Sequence, residues 1–167
     1  LLPGVQSGSE VSSGIYVRGG GPDQNLILLD GVPVYNASHL FGFFSVFNAD
    51  AINSVQLIKG GFPARYGGRL SSVLDIRMKE GNSQEFHGEG GIGLISSRIT
   101  VEGPIRKDKT SFIFSGRRTY ADIFAKPLIQ LAAEEDEKVS AGYYFYDINF
   151  KINHKFSENS RLYLSVY

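Results

Sequence analysis

The 167-residue chain carries 17 Lys plus Arg and 17 Asp plus Glu, so its formal net charge is zero. This balance argues against a basic nucleic-acid-binding protein, because phosphate contacts need an excess of clustered cations. The absence of cysteine excludes disulfides, thiolate nucleophiles and zinc–cysteine sites. The 20 Gly, 12 Phe and 9 Tyr favour turns and sheets, and the length allows one or two compact domains.

The ends of the chain predict a piece of a longer protein. No apolar run approaches the roughly 18 residues of a membrane helix, which leaves a membrane β-barrel open. The first four residues lack the charged start and apolar stretch of a signal peptide. The chain begins without Met and stops within an alternating segment, so we expect neighbouring segments on both sides.

The first part of the chain, residues 1–81, predicts a small mixed sheet bounded by glycine turns. Asp30-Gly31 between two apolar runs predicts a type I′ hairpin, because both central residues of that turn need positive φ. Pro33 cannot donate to a ladder and is expected on an edge strand. Asn48 is expected to cap a short helical turn. Strands are expected over residues 14–18, 25–34, 52–59 and 72–78.

The second part, residues 82–167, alternates apolar and polar residues with period two. Strands are expected over residues 86–94, 97–102, 110–124, 144–156 and from Leu162 onward. Pro104 and residues 106–109 are expected to form a short turn, and a long loop should follow Phe124. Ile148 and Phe150 should share one face, whereas Asp147 and Asn149 should lie on the other.

This alternation fits either an outer-membrane β-barrel or a soluble β-sandwich. The barrel is favoured by tyrosines 143, 144 and 146 at one end of a strand and Phe156 near the other, because membrane strands carry aromatic girdles. Alternation sends Arg117 and Arg118 to opposite faces, one towards the lumen and one towards the lipid interface. The acidic run 134–137 is expected to be a solvated loop rather than a calcium site.

Four motifs then point to a family. They are residues 15–19 (Ile-Tyr-Val-Arg-Gly), 25–34 (Asn-Leu-Ile-Leu-Leu-Asp-Gly-Val-Pro-Val), 52–60 (Ile-Asn-Ser-Val-Gln-Leu-Ile-Lys-Gly), and 64–68 with 74–76 (Ala-Arg-Tyr-Gly-Gly and Leu-Asp-Ile). In order and spacing they resemble the plug domain of TonB-dependent outer-membrane receptors. The second part resembles the first strands of that family's barrel. The resemblance implies an α+β plug, a small mixed β-sheet with short helical turns over residues 1–81. About five antiparallel strands of a truncated transmembrane β-barrel would follow over residues 82–167.

The resemblance also implies a mechanism. A plug closes a barrel of about 22 strands in the bacterial outer membrane, and the inner-membrane protein TonB drives import of a scarce nutrient past it. The expected partners are TonB, outer-membrane lipid and a small-molecule, glycan or peptide solute, with no nucleic acid and no cofactor. A receptor that also passes a signal inward stays open. The piece alone is not expected to transport.

The resemblance places the solute contacts in two plug loops. The candidate residues are Arg18, Asp23, Gln24, Tyr35, Asn36 and His39. Arg18 offers a fork for an anionic group, and Tyr35 offers a ring for stacking. Arg18 could equally pair with an acidic residue of the barrel wall, since buried charges are normally paired. Arg65 and Arg69, beside glycine turns, are expected to make plug–barrel contacts.

Catalysis is not expected. The three histidines, at positions 39, 87 and 154, stand in separate segments without a zinc or nucleophile motif. Glycines 60, 61, 67 and 68 are expected to permit positive φ or close approach rather than to cradle phosphate. The alternative outside transport is a soluble β-rich interaction module that binds through exposed β edges and the phenylalanines at 41, 43, 44 and 47.

Overall fold

The computed structural model describes residues 5–7, 15–39, 44–120 and 144–167. The chain divides into two compact units, Leu1–Lys79 and Glu80–Tyr167. In the described ranges no helix has the length and apolar character needed to cross a membrane.

The first unit is built on short strands. They are β1 (Val5–Ser7), β2 (Ile15–Val17), β3 (Asn25–Leu29), β4 (Val32–Pro33), β5 (Ser38–His39), β6 (Phe44–Ser45), β7 (Ile52–Ile58) and β8 (Ser72–Met78). A four-stranded sheet has the order β4-β3-β8-β7, with β3 and β8 parallel and the other pairs antiparallel. The mixed sheet predicted for this part is therefore confirmed. Strands β1 and β2 pair separately, as do β5 and β6.

The hairpin between β3 and β4 has the predicted turn. Asp30 has φ 50° and Gly31 has φ 86°, both in the left-handed region that a type I′ turn requires. Strand β4 lies at the edge of the sheet, so the missing N–H of Pro33 interrupts no inner ladder. The carboxylate of Asp30 also accepts a hydrogen bond from the N–H of Met78 at 3.1 Å, which ties the turn to the end of β8.

The short helical turn predicted after Asn48 is a 3₁₀ helix, Ala49–Ala51. The Oδ1 atom of Asn48 accepts a hydrogen bond from the N–H of Asp50 at 3.3 Å, as an N-cap does. A second 3₁₀ helix, Pro22–Gln24, lies within the segment that the sequence predicted as loop. Pro at its first position favours the helical φ and needs no N–H partner there.

Within residues 80–120 and 144–167, the second unit has five strands. They are β9 (His87–Ile92), β10 (Ser96–Arg106), β11 (Thr110–Thr119), β12 (Tyr146–Ser157) and β13 (Ser160–Val166). Each pairs antiparallel with the next, and in the described ranges they form an open sheet. The predicted long loop, its acidic run 134–137 and Tyr143 lie outside the described residues.

The turn predicted to begin at Pro104 was wrong, because β10 continues through Pro104 to Arg106. Pro104 pairs with Ser111 of β11, and a bulge separates it from Arg106. Strand β9 begins opposite Glu102, so no paired residue of β9 lies beside Pro104. A proline is tolerated in a strand at such a position, since its missing N–H breaks no ladder bond there.

The two faces of this sheet have opposite polarity. One face carries buried polar side chains, including Thr100, Ser115, Asn149 and Lys151. The other face carries apolar side chains that are half or more exposed, among them Ile99, Ile105, Ile148, Leu162, Leu164 and Val166. A sheet of a water-soluble protein normally buries its apolar face and exposes its polar one. The observed arrangement is the reverse.

Candidate functional site

The two loops predicted to contact solute lie at the same end of the four-stranded sheet. Residues 18–24 lead directly into β3, and the N–H of Val34 donates to the carbonyl of Ile27 at 2.8 Å. The hydrogen bond between Val34 and Ile27 brings the chain back towards the start of β3, so Tyr35 and Asn36 lie beside that end of the sheet. The Asp30-Gly31 turn lies at the opposite end of the same strand.

The end of β7 and the start of β8 lie at the same end of the sheet. Ile58, the last residue of β7, pairs with Val73 near the start of β8. The N–H of Ser71 donates to the carbonyl of Gln24 at 3.0 Å. Four segments therefore lie at one end of this sheet, which we call the glycine-rich end. They are residues 18–24, 35–36, 59–61 and 68–71.

Gly20 is required at this end by close packing. A Cβ at residue 20 would lie 2.5 Å from both Cβ and Oγ of Ser71. The Ser71 hydroxyl donates to the carbonyl of Val17 at 2.5 Å, and the Asn25 amide donates to the carbonyl of Ile15 at 2.6 Å. These bonds hold β2 and the loop after it against the sheet.

Arg18 is held in an unusual backbone conformation. Its φ of 49° is in the left-handed region, which costs a non-glycine residue about 1 kcal/mol. Its side chain is exposed and lies beside Gly60, where an added Cβ would be 2.8 Å from Nη1. Among the described residues no acidic side chain pairs with Arg18. Gly60 thus leaves space for a guanidinium that is open to an anionic group.

Of the other predicted residues, Asp23 and Asn36 are exposed and Tyr35 is 88% exposed. Gln24 is half-buried, and its Oε1 would lie 2.8 Å from a Cβ on Gly20. These four residues share the glycine-rich end with Arg18. His39 lies in β5, which pairs with β6 rather than with the four-stranded sheet. Solute contact by any of the six stays a prediction.

Arg65 and Arg69 are both exposed. The guanidinium of Arg65 lies 4.8 Å from the ring centre of Tyr66 and donates to its hydroxyl at 3.2 Å. Arg69 donates to the carbonyl of Gly68 at 3.0 Å. Their contact with a barrel wall stays a prediction.

The sequence analysis missed a buried carboxylate in the same unit. Asp75 is 4% exposed, and its Oδ2 accepts hydrogen bonds from Arg77 at 3.0 Å and the Tyr66 hydroxyl at 3.4 Å. Its Oδ1 has no hydrogen-bond partner within the described ranges. The signal was a lone Asp inside the apolar run of β8, since buried carboxylates are normally paired.

The chemistry at the glycine-rich end suits binding. It combines cations, amides, a carboxylate and an exposed aromatic ring at one end of the four-stranded sheet. Within the described residues no group of three His, Cys, Asp or Glu side chains could hold a metal ion.

Comparison with known proteins agrees with this fold. Residues 1–72 match the TonB-dependent Receptor Plug Domain family. The probable TonB-dependent siderophore receptor PirA of Acinetobacter baumannii is 30% identical over 152 residues, covering 72% of this chain and 20% of the relative. The ferrienterobactin receptor of Escherichia coli is 29% identical over 133 residues, covering 69% and 17%.

The crystal structure of the siderophore receptor PirA from Acinetobacter baumannii superposes with a TM-score of 0.65 at 25% identity. That match covers 98% of this chain and 27% of PirA. The chain spans 20% or less of the length of these two curated relatives, which are receptors rather than enzymes. Residues 1–72 thus match the plug domain of TonB-dependent receptors, and the chain as a whole is similar in sequence and fold to members of that family.

Proposed function

We propose that this chain supplies the plug and the first five wall strands of an outer-membrane receptor that imports a scarce nutrient. The plug is assigned to residues 1–81 and the wall strands to residues 82–167. Import past the plug would draw energy from the inner-membrane TonB system. This proposal extends the family relationship of residues 1–72 to the whole receptor.

The observation that carries the proposal is the reversed polarity of the five-stranded sheet. Ile148 and Leu164 are 50% and 61% exposed on one face, while Asn149 and Lys151 are 5% exposed on the other. Barrel strands in a membrane face lipid with apolar side chains and line the lumen with polar ones. A soluble β-rich module would bury the apolar face, so the arrangement argues against that alternative.

We further propose that the solute is a small anionic metal chelate. Two relatives are named for siderophores or ferric enterobactin. The glycine-rich end offers Arg18, whose guanidinium can donate two parallel hydrogen bonds to an anionic group. It also offers the exposed ring of Tyr35. Asp23, Gln24 and Asn36 would supply further polar contacts, and His39 is kept as a separate candidate for solute contact.

Uptake of iron-55-labelled siderophores by cells with this full-length receptor as their only siderophore receptor tests the proposal. Arg18→Gln and Tyr35→Ala should each reduce chelate affinity about tenfold, as loss of a charged or stacking contact does. The matched control is Lys79→Gln, a cation after β8 at the opposite end of the sheet, and it should not change affinity. Deleting TonB should abolish uptake but leave binding intact.

Two results would contradict the proposal. Recovery of the receptor from the soluble fraction would remove the membrane assignment. Uptake that continues without TonB would remove the energy source. A receptor that sits in the outer membrane but binds only uncharged solutes would overturn the anionic chelate alone.

A further inference from the structure

We propose that the turn between β10 and β11 binds the phosphate headgroup of an anionic phospholipid through Arg106, Lys107 and Lys109. The inference rests on the proposed function, because it requires the apolar face of the sheet to lie in a bilayer. It adds a lipid partner of defined headgroup chemistry to the wall strands.

The turn carries an excess of positive charge. Arg106, Lys107 and Lys109 are all exposed, and no acidic side chain of the described residues pairs with them. The nearby carboxylates of Asp108 and Glu158 bond instead to Gln84 and Lys155. Because Gln84 is neutral, the charge of Asp108 offsets part of the excess, as does the charge of Glu85, which is also exposed.

The bulge in β10 turns Arg106 towards the apolar face. Pro104 pairs with Ser111, but the next pair is Arg106 with Thr110, and Thr110 in turn pairs with His154 of β12. Residues directly opposite on neighbouring strands share a face. The side chains of Arg106, Thr110 and His154 are therefore neighbours on the apolar face, at the end of the sheet beside the turn.

The Thr110 and His154 side chains form a polar pair at the apolar boundary. Thr110 Oγ1 and His154 Nδ1 are 2.8 Å apart, and the imidazole packs edge-on against Phe156 with ring centres 4.5 Å apart. When Nδ1 accepts from the hydroxyl, Nε2–H remains a donor. Exposed apolar side chains of Ile105, Phe156 and Leu162 continue beside this pair.

This order of groups fits a phospholipid. Acyl chains would cover the apolar side chains, and the headgroup phosphate would meet Arg106, whose fork matches phosphate oxygens. Lys107 and Lys109 lie in a three-residue turn that directly follows Arg106. Short turns of membrane barrels face the periplasm, where the leaflet is phospholipid. The lipopolysaccharide leaflet would meet the opposite end of the sheet.

The test uses the full-length receptor with one fluorescent cysteine at Asn159, in the neighbouring turn, inserted into phosphatidylcholine vesicles. This chain contains no native cysteine, and any elsewhere in the receptor would be replaced. Quenching by brominated phosphatidylglycerol should exceed quenching by brominated phosphatidylcholine. The preference should correspond to about fivefold in affinity for each cation in contact, and salt should weaken it.

Neutralising the turn with R106Q, K107Q and K109Q should equalise quenching by the two lipids. R118Q removes a cation from the same face at the opposite end of the sheet and should leave the preference unchanged. A second reporter at Leu94, also at that end, should show no preference. The salt dependence of the unmodified turn tests the proposal even when the triple variant fails to fold.

Equal quenching by both lipids in the unmodified receptor would overturn the headgroup site while leaving membrane insertion intact. Quenching by neither lipid would show that the sheet is outside the bilayer, and both proposals would fall. A preference that unlabelled lipopolysaccharide abolishes more effectively than phosphatidylglycerol would overturn the phospholipid assignment.

Discussion

Arg117 on β11 and Asp147 on β12 are cross-strand neighbours on the buried polar face, and Arg117 Nε donates to Asp147 Oδ2 at 2.9 Å. Their side chains are 14% and 8% exposed. The adjacent Arg118 lies on the other face, with its guanidinium 5.7 Å from the ring centre of Tyr144. The opposite placement of the two arginines follows the alternation of the sequence.

Replacing Asp147 with alanine should lower the free energy of unfolding by about 3 kcal/mol, because it removes the carboxylate opposite the buried Arg117 charge. Replacing Arg118 with alanine is the matched control and should cost about 1 kcal/mol or less, since its ring contact is exposed. Urea unfolding of the receptor refolded in lipid vesicles measures both. Equal losses of unfolding free energy would mean that the buried ion pair stabilises the protein no more than the exposed contact of Arg118 does.

The turn between β3 and β4 should be sensitive at both central residues. Gly31→Ala should cost about 1 kcal/mol because φ there is positive, and Asp30→Ala about 2 kcal/mol because it also removes the acceptor for Met78. Gly67→Ala is the control: it has ordinary φ and open space around the new methyl group, so we expect a change within about 0.5 kcal/mol. Denaturant midpoints would measure the three stabilities. Similar losses at positions 30, 31 and 67 would contradict a special role for the positive φ values.

The contact between Gly20 and Ser71 predicts a rescue. Gly20→Ala should destabilise the plug by about 2 kcal/mol through overlap with Ser71, and Ser71→Gly by about 1 kcal/mol through its lost hydrogen bond. The double variant should lose less than the sum, because the overlapping Ser71 atoms are gone and the end of the Gln24 side chain can move away. A double-mutant cycle from urea unfolding measures the coupling, and strict additivity would refute it.

Glu158, in the turn before β13, should titrate at low pH. Its hydrogen bond with Lys155, aided by the charge of Lys155 and a smaller contribution from Arg161, holds the pKa of Glu158 below its ordinary value of 4.5. The ion pair is therefore complete at neutral pH and is lost as pH falls below that value. Carbon-13 shifts of the carboxyl should show Lys155→Gln raising the pKa more than Arg161→Gln; the reverse order would contradict the assignment.

Local turn chemistry made part of the plug predictable. Asp-Gly at residues 30–31 and Asn48 before a short apolar segment each specify a conformation through one or two residues. Their predicted structures were confirmed without knowledge of the rest of the fold. The period-two pattern likewise located the strands of the second unit, since each side chain's face depends only on its parity.

Pairings between distant segments could not be predicted in this way. The parallel contact of β3 with β8 joins Asn25 to Ser72, 47 residues apart, and no local signal specifies it. That contact brings Ser71 to Gln24 and so forms the glycine-rich end. The same limit explains Pro104, whose tolerance depends on where the neighbouring strand β9 begins.

The reversed polarity of the five-stranded sheet has a consequence for how the protein is made. In water the same strands would lower their free energy by burying Ile148, Phe150 and Leu164, which is the opposite of the arrangement observed here. Collapse in water with the apolar face buried therefore competes with formation of the observed sheet. Under the proposed membrane assignment, we expect a carrier protein in the aqueous compartment to keep these strands extended until they reach the bilayer, so that contact with lipid selects which face points outward.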